Sequence, residues 1–506
     1  MESKWLAMVL LVLSLGSGLC DGCLEEERFA LFQLKPFFAF IDYKFQDLDY
    51  ESKPEKESSS NCCEWERVEC NPISGRVTHL FLNYSSNMKR DWYLNASLFL
   101  PFEKLQNLSL SGNFITGCVA NQGFERLSSK LDKLENLDLS ENNFNNSILA
   151  SLSELSSLKS LNLAYNVFTR SNPTNGIEML SKLNNLETLD LSYNRLGIDG
   201  FALSRSVCLE SCGELYLGGN EIESLGSLFH GKEGMKLNKL EVLSLNDNLF
   251  NNSIFTSLAV LSNLKYLDLS NNQLEGAIYT KDLNALSNLE ELILSDNFQL
   301  NGFIPSQGLR LMNLKHLNLS GNGFNNSILP SLAKLPNLKT LRIDTFRCNG
   351  LMDIKDLYGF GNLEELTMAR YIDLNALSNL EELILSDNFQ LNGFIPSQGL
   401  RLMNLKHLNL SVNGFNNSIL ASLATLPNLK TLRIDTIRCN GLIDMKDLYG
   451  FGNLEELTLA RYIDADAGCS FSLQSLGLFP TLNTLCLIGF NIKETTMASY
   501  SRNSKF

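Results

Sequence analysis

Side chains able to do chemistry are sparse in this 506-residue chain, and most of them repeat. Of only four histidines, His316 and His407 take the same place in two near-identical stretches, beside Lys315 and Lys406. The acid pairs Glu290-Glu291 and Glu381-Glu382 recur in those stretches too, inside Leu-Glu-Glu-Leu. A glycosidase needs two carboxylates flanking one bond, and an acid–base histidine needs a partner for its proton. Spacing dictated by a repeat meets neither need, so these residues are expected to be solvent-facing polar positions. No Gly-rich loop with a Lys follows a strand and opens a helix, as phosphate binding requires. No catalytic residue, metal ligand or cofactor is therefore expected, and an enzyme is the least favoured class.

Twelve cysteines and nine Asn-x-Ser sequons carry the remaining chemistry. The sequons start at Asn83, Asn95, Asn107, Asn145, Asn251, Asn318, Asn325, Asn409 and Asn416. They are glycan acceptors in an exported chain. Lys4, the apolar run Trp5–Leu15 and the small residues Gly16, Ser17 and Gly18 have the form of a secretory signal, assigned to residues 1–22. That run is too short to span a bilayer, and no later one reaches 18 apolar residues. The expectation is the secretory pathway and an extracellular or cell-surface location, with no membrane span of its own after cleavage. Lys plus Arg total 42 against 56 Asp plus Glu, a net charge of −14 that opposes phosphate binding and sets nucleic acid aside as a partner.

Periodicity positions these residues. Leu134-x-x-Leu137-x-Leu139-Ser140-x-Asn142 recurs at Leu158–Asn166, Leu186–Asn194, Leu240–Asn248, Leu264–Asn272 and Leu289–Asn297. Seventeen Leu-x-Leu strands run from Leu80/Leu82 to Leu485/Leu487, mostly 24 to 29 residues apart. This is the leucine-rich-repeat signature. No single turn can bury its leucines, whereas stacked turns share a core and leave the alternate residues facing solvent. Eleven recurring Asn are expected to satisfy backbone groups in the bend after each strand. The fold class expected is α/β: a right-handed leucine-rich-repeat solenoid over residues 76–491, with a parallel β-sheet on its concave face and an inner edge of roughly 77 Å. A helical N-terminal cap is assigned to 23–75 and a polar tail to 492–506.

Residues 282–372 and 373–463 are near copies of 91 residues, differing at seven positions, Gly321/Val412 among them. At their seam the step from Leu366 to Leu383 is 17 residues, against 28 from Leu457 to Leu485. Turns of this kind take about 20 to 29 residues, so a squeezed turn is expected near Arg370–Ala376. Exposed strand positions of the two copies carry Lys315, His316, Lys339, Arg342 and Asp344, repeated as Lys406, His407, Lys430, Arg433 and Asp435. They form a candidate ligand-facing stripe, the plainer reading being a solvated face. Asn145, Asn251, Asn325 and Asn416 each fall three residues after a recurring Asn, outside the strand, where a glycan fits. Asn107, Asn318 and Asn409 sit on strands, where a glycan would bar ligands.

Four cysteines, Cys23, Cys62, Cys63 and Cys70, flank a short helix signalled by Phe29, Ala30, Leu31 and Leu34 and bent or ended by Pro36. In an exported chain they read as a disulfide staple. With Glu27-Arg28, Trp65 and Val68, this segment resembles the plant-type N-terminal cap of extracellular leucine-rich-repeat proteins. The resemblance implies the pairs Cys23–Cys62 and Cys63–Cys70. The family's Trp-x-Gly-Val is Trp65-Glu66-Arg67-Val68 here, a departure expected to change the turn and spare the bridges. Cys348 and Cys439 lie four turns apart, roughly 19 Å, too far to bridge, and are expected to be buried thiols. Pairs Cys208–Cys212 and Cys469–Cys486 are expected instead.

Together with Gly302-Phe303-Ile304-Pro305 and Gly393-Phe394-Ile395-Pro396, which match the family's Gly-x-Ile-Pro segment, the resemblance to plant receptor-like proteins covers nearly the whole chain. It implies recognition of an extracellular peptide, protein or glycan ligand and signalling through a partner receptor kinase, in defence or development. The family's C-terminal cap, acidic spacer, membrane helix and short tail do not follow the repeats here. Two rival readings are a soluble secreted inhibitor or decoy, and a truncated, non-functional receptor relic.

Overall fold

The computed structural model describes residues 23–38, 61–88, 90–169, 177–197, 211–225, 239–305, 308–325, 328–343, 360, 362–368, 379–385, 402–413, 415–438, 441–443, 448, 450–461, 469–472 and 479–493. The signal segment, the end of the tail, Asp344, and the cysteines Cys20, Cys208, Cys348 and Cys439 lie outside them. The chain divides into two compact units, residues 1–249 and 250–506.

The cap opens with helix α1 (Glu25–Leu34), whose first turn holds Glu25, Glu26 and Glu27 where the helix dipole favours acids. Glu27, Ala30, Leu31 and Leu34 form its buried stripe at helical spacing. An acid in an apolar stripe needs a partner, and Glu27 has two. Its carboxylate accepts from Arg76 Nε at 2.8 Å and from the Val77 backbone N–H at 3.1 Å. The helix is thereby pinned to the start of the first repeat strand. Cys23 is bridged to Cys62 and Cys63 to Cys70, with Cα atoms 5.7 and 5.6 Å apart. Trp65 is buried between the edge of Phe32, 5.2 Å away, and Lys35 Nζ, 4.5 Å from its ring. Arg67 corrects one expectation. It adopts φ 75°, the left-handed conformation that a glycine takes freely, so the turn remains compatible with glycine. Its guanidinium donates to the carbonyls of Phe81 (3.2 Å) and Asn83 (2.9 Å), which offsets a backbone cost of about 1–2 kcal/mol.

In the first unit, β1 (Val68–Cys70) pairs antiparallel with β2 (Val77–Phe81). Then follow β3 (Trp92–Leu94), β4 (Asn107–Ser109), β5 (Ile115–Cys118), β6 (Asn136–Asp138), β7 (Ser160–Asn162), β8 (Thr188–Asp190), β9 (Glu214–Tyr216) and β10 (Val242–Ser244). Strands β2, β4 and β6 to β10 pair in parallel, with Leu80, Leu108, Leu137, Leu161, Leu189, Leu215 and Leu243 in one row. All seven leucines are buried, because the pleat sends the central residue inward and its two neighbours out.

The second unit continues with β11 (Tyr266–Asp268), β12 (Glu275–Tyr279), β13 (Glu291–Ile293), β14 (Gln299–Ile304), β15 (His316–Asn318), β16 (Thr340–Ile343), β17 (Glu365–Met368) and β18 (Glu382–Ile384). It ends with β19 (His407–Asn409), β20 (Thr431–Ile437), β21 (Gly441–Ile443), β22 (Glu456–Arg461), β23 (Cys469–Ser472), β24 (Thr484–Ile488) and β25 (Asn491–Lys493). Ten of these build its main parallel sheet: β11, β13, β15 to β20, β22 and β24. Short second sheets, β3 with β5, β12 with β14, and β21 with β23 and β25, lie after the bends. The repeat spacing did not announce them, although Gly302-Phe303-Ile304 falls on β14. At the seam, β17 and β18 pair in register, Leu366 opposite Leu383. The short step therefore leaves the strand ladder intact, while the turn expected to be squeezed lies outside the described residues.

What locks one turn to the next is the recurring Asn. The Asn142 amide donates to the carbonyls of Leu139 and Ser140 in its own turn and of Leu110 in the turn before, at 2.9–3.1 Å. Its Oδ1 accepts the N–H groups of Asn113 and Ile115 at 3.1 and 3.0 Å. Asn113, Asn166, Asn194, Asn220, Asn248, Asn297, Asn322 and Asn413 are buried in the same role. Two residues on, Phe144, Phe168, Phe250, Phe324 and Phe415 are buried beneath the bend. Replacing Asn142 with Ala orphans backbone groups in two turns. Denaturant unfolding should show a loss of about 3 kcal/mol, and a loss below 1 kcal/mol would contradict the clamp.

The bend also requires a left-handed residue just before that Asn. Gly112, Glu141, Tyr165, Tyr193, Gly219, Asp247, Asn271, Asp296 and Gly321 all have φ between 49° and 69° there. Val412 is forced to φ 57° at the place where the other copy has Gly321. A β-branched residue is strained in that region. Val412→Gly should therefore slow hydrogen exchange across β19 and β20 about fivefold, corresponding to about 1 kcal/mol.

Candidate ligand-binding face

The outward positions of the main-sheet strands form the face on which the candidate residues lie. In the second unit every described cation of the expected stripe meets a carboxylate. Lys315 Nζ lies 2.5 Å from Glu290, Lys339 2.8 Å from Glu364, Lys406 2.9 Å from Glu381 and Lys430 2.8 Å from Glu455. The order along this column puts Lys315 next to Lys339, so each lysine turns away to the acid on its other side. Arg342 reaches Glu365 on β17 at 2.8 Å, whereas Arg433 folds back on Asp435 at 2.7 Å. The Lys315 ammonium, by hydrogen bond and charge, holds Glu290 below the usual carboxylate range. His316 and His407 face Thr340 and Thr431 through Nδ1, at 3.0 and 2.8 Å. The stripe expected from sequence is thus a self-neutralised ladder.

The first unit's face differs. Its outward residues are mostly amides, hydroxyls and acids, with His79, Phe81 and Val242 among them, and Phe81, Asn83, Asn107, Ser109, Asn136, Asp138, Ser160 and Asn162 line a shallow hollow of about 420 Å³. Beside it runs a ridge that sequence reasoning missed, made by the left-handed residues of the bends. Tyr165 and Tyr193 stack with ring centres 4.3 Å apart and planes 10° off parallel. The Tyr193 hydroxyl donates to Asp247 at 2.8 Å, and Tyr84 donates to Glu141. These bonds raise both phenol pKa values, that of Tyr193 to about 12, so both stay protonated donors. The signal in the sequence was a tyrosine immediately before the recurring Asn in two consecutive turns.

Among the cysteines, Cys118 on β5 is a free thiol whose pKa burial pushes up to about 12, which makes it unreactive. Cys486 is also free, which overturns the expected Cys469–Cys486 pair. It stands on β24 in the main sheet, whereas Cys469 belongs to β23 in the three-stranded sheet. Cys212 is buried, with its sulfur 3.2 Å from the Glu214 carbonyl. Its expected partner lies outside the described residues.

The sequons fall into two structural sets. At the start of the short back-side helices, the side chains of Asn95, Asn145, Asn251 and Asn416 each accept the N–H of the Ser two residues on, at 2.9–3.1 Å. Their Nδ2 atoms are left for a glycan. Asn325 is half-buried at the equivalent place. On the face, Asn318 and Asn409 accept from Ser320 and Ser411 in the same way, as Asp138, Asp190 and Asp268 do from their own serines. There the sequon is a by-product of a backbone bond. Asn107 on β4 contacts Asn136. Asn318→Asp should leave the unfolding midpoint unchanged, whereas Asn318→Ala should cost about 1 kcal/mol; equal losses in both would refute the backbone role.

Comparison with known proteins agrees with this geometry. Leucine Rich Repeat family models match residues 133–155, 263–282 and 313–335, and a second model matches 182–200. Cuscuta receptor 1 of Solanum lycopersicum is 32% identical over 282 residues, covering 54% of this chain and 22% of the relative. Receptor-like protein 13 of Arabidopsis thaliana is 33% identical over 291 residues, covering 55% and 24%. Receptor-like protein 9a of the same plant is 38% identical over 160 residues, covering 31% and 16%. The chain thus spans less than a quarter of the length of these relatives. Among solved structures, a leucine-rich-repeat protein of Leptospira interrogans superposes with TM-score 0.58 at 23% identity, over 80% of this chain and 95% of that one. TLR13, in its complex with ssRNA13, superposes with TM-score 0.53 at 21% identity, over 83% and 64%. At such identities these two bear on the fold alone. The class is therefore the leucine-rich-repeat proteins. Within that class, the chain is similar to plant receptor-like proteins over about half of its length.

Proposed function

We propose that the chain is an extracellular ligand-recognition protein that signals through a partner receptor kinase. The observation that carries this reading is the face itself. The Asn ladder and strand pairing satisfy most of the backbone internally, so apart from the Asp or Asn that accepts a Ser N–H at a strand end, the outward side chains stand in register and available to a ligand. A long row of such positions suits recognition of an extended peptide or a protein surface. Relatives named as receptors support the same reading. Residues 1–22 would direct export, residues 23–75 would close the first turn, and 76–491 would present the face. Catalysis has no part in this reading.

The test uses the full chain secreted from plant cells and a panel of plant receptor-kinase ectodomains, with binding followed by interferometry. At least one ectodomain should bind, alone or after addition of plant extract. Asn136→Trp, which fills the hollow of the first unit, should weaken that binding or its ligand dependence at least tenfold. No binding across the panel, or binding indifferent to Asn136→Trp, would count against recognition through this face.

A further inference from the structure

The two units carry different electrostatics on the same architecture, and the difference specifies a ligand. Resting on the recognition reading above, we infer that the first unit takes a cationic peptide segment, with an arginine or lysine side chain packed on the Tyr165–Tyr193 stack. The outward positions of β2, β4 and β6 to β10 include Asp138, Asp190 and Glu214 and not one Lys or Arg. Lys159, just before β7, is held by Glu135 at 3.0 Å. In the second unit the strand positions also hold acids, Asp268, Glu291, Glu365, Glu382 and Glu456, but Arg342 and Arg433 stand among them, and the column before the strands adds Lys315, Lys339, Lys406 and Lys430, each matched to an acid. Among the described residues the strand positions of the first face thus carry acids and no Lys or Arg, and a cationic ligand complements them.

The ridge adds a second, independent feature. Tyr84, Tyr165 and Tyr193 are 61%, 52% and 38% exposed, far more than aromatic rings that serve a core. Their placement is built. A Cβ on Gly112 would lie 2.4 Å from the Tyr84 ring, and one on Gly219 would lie 2.5 Å from that of Tyr193. Glycine at these two bends lets each ring lie along the ridge and reach a carboxylate two turns away. The hydroxyl bonds orient the rings against Glu141 and Asp247. Electron-rich ring faces beside carboxylates form a cation site of a kind that guanidinium fits best, because it stacks and donates together. The adjacent hollow, with its amides and hydroxyls, offers bonds to an extended backbone.

The experiment measures binding of hexa-arginine, hexa-glutamate and cellohexaose to the full secreted chain by calorimetry, at low and high salt. Hexa-arginine should bind and the other two should not, with affinity falling at least tenfold between 50 and about 300 mM salt. The pair Tyr165→Ala with Tyr193→Ala should weaken it at least tenfold, as should Asp138→Asn with Asp190→Asn. Tyr193→Phe should cost less, because the ring remains. Tyr279→Ala, an exposed tyrosine of the second unit, should change nothing. Equal binding of cellohexaose would assign the ridge to neutral sugars and overturn the proposal. So would hexa-arginine binding that ignores the tyrosine pair, because it would report only the net charge of −14. Kinase ectodomain binding that persists without any hexa-arginine binding would overturn the cationic ligand while leaving the receptor reading in place.

Discussion

A buried amide that makes up to five hydrogen bonds sets the terms for the rest of this molecule. Each bend after a strand leaves backbone donors and acceptors with no sheet partner, inside a core of leucine and phenylalanine. Only a side chain with two donors and a two-lone-pair acceptor, short enough to lie flat, meets them all. Asn142 does so across two turns, Asn248 and Asn297 repeat all five bonds, and Asn113, Asn166, Asn194 and Asn220 keep the three bonds to carbonyls. From that clamp follow the parallel register of the leucines, the left-handed residue before each Asn, and in five turns a buried ring two residues after it. The outward side chains are then free to vary, and variation there is what a recognition surface needs.

The two units use that freedom in opposite ways. In the duplicated region, acids and lysines alternate so that each lysine has a carboxylate on one side even where two lysines are neighbours. Exposed pairs of this kind contribute little to stability, since solvent screens them. Their effect is to cancel the local field. Upstream, among the described residues, the acids Asp138, Asp190 and Glu214 stand among amides and tyrosines with no Lys or Arg on the strands.

Duplication has left marks that the repeat tolerates. The seam skips part of a turn and β17 still meets β18 in register, because strand pairing depends on the Leu row and not on the length of chain between rows. Val412 occupies a conformation suited to Gly321, a local cost that neighbouring turns absorb because each interacts only with its neighbours. At the cap, Arg67 accepts the same kind of cost where hydrogen bonds from its guanidinium offset it.

The sequence by itself determined the repeat, the strand positions, the inward leucines and the clamping Asn, because these obey short-range periodicity that stacking then enforces. The cap was also legible, although the role of Glu27 was not: an acid at an apolar helical position signals a partner without naming it. Only the tertiary structure decided which outward residues act together. Lys315 and Glu290 are 25 positions apart, Tyr193 and Asp247 are 54, and only stacking makes them neighbours. The same holds for Cys469 and Cys486, which a linear reading pairs and two separate sheets keep apart. Periodicity fixes where each residue stands within its turn. Contacts between turns depend on how far each side chain reaches, and that distance exists only once the turns are stacked.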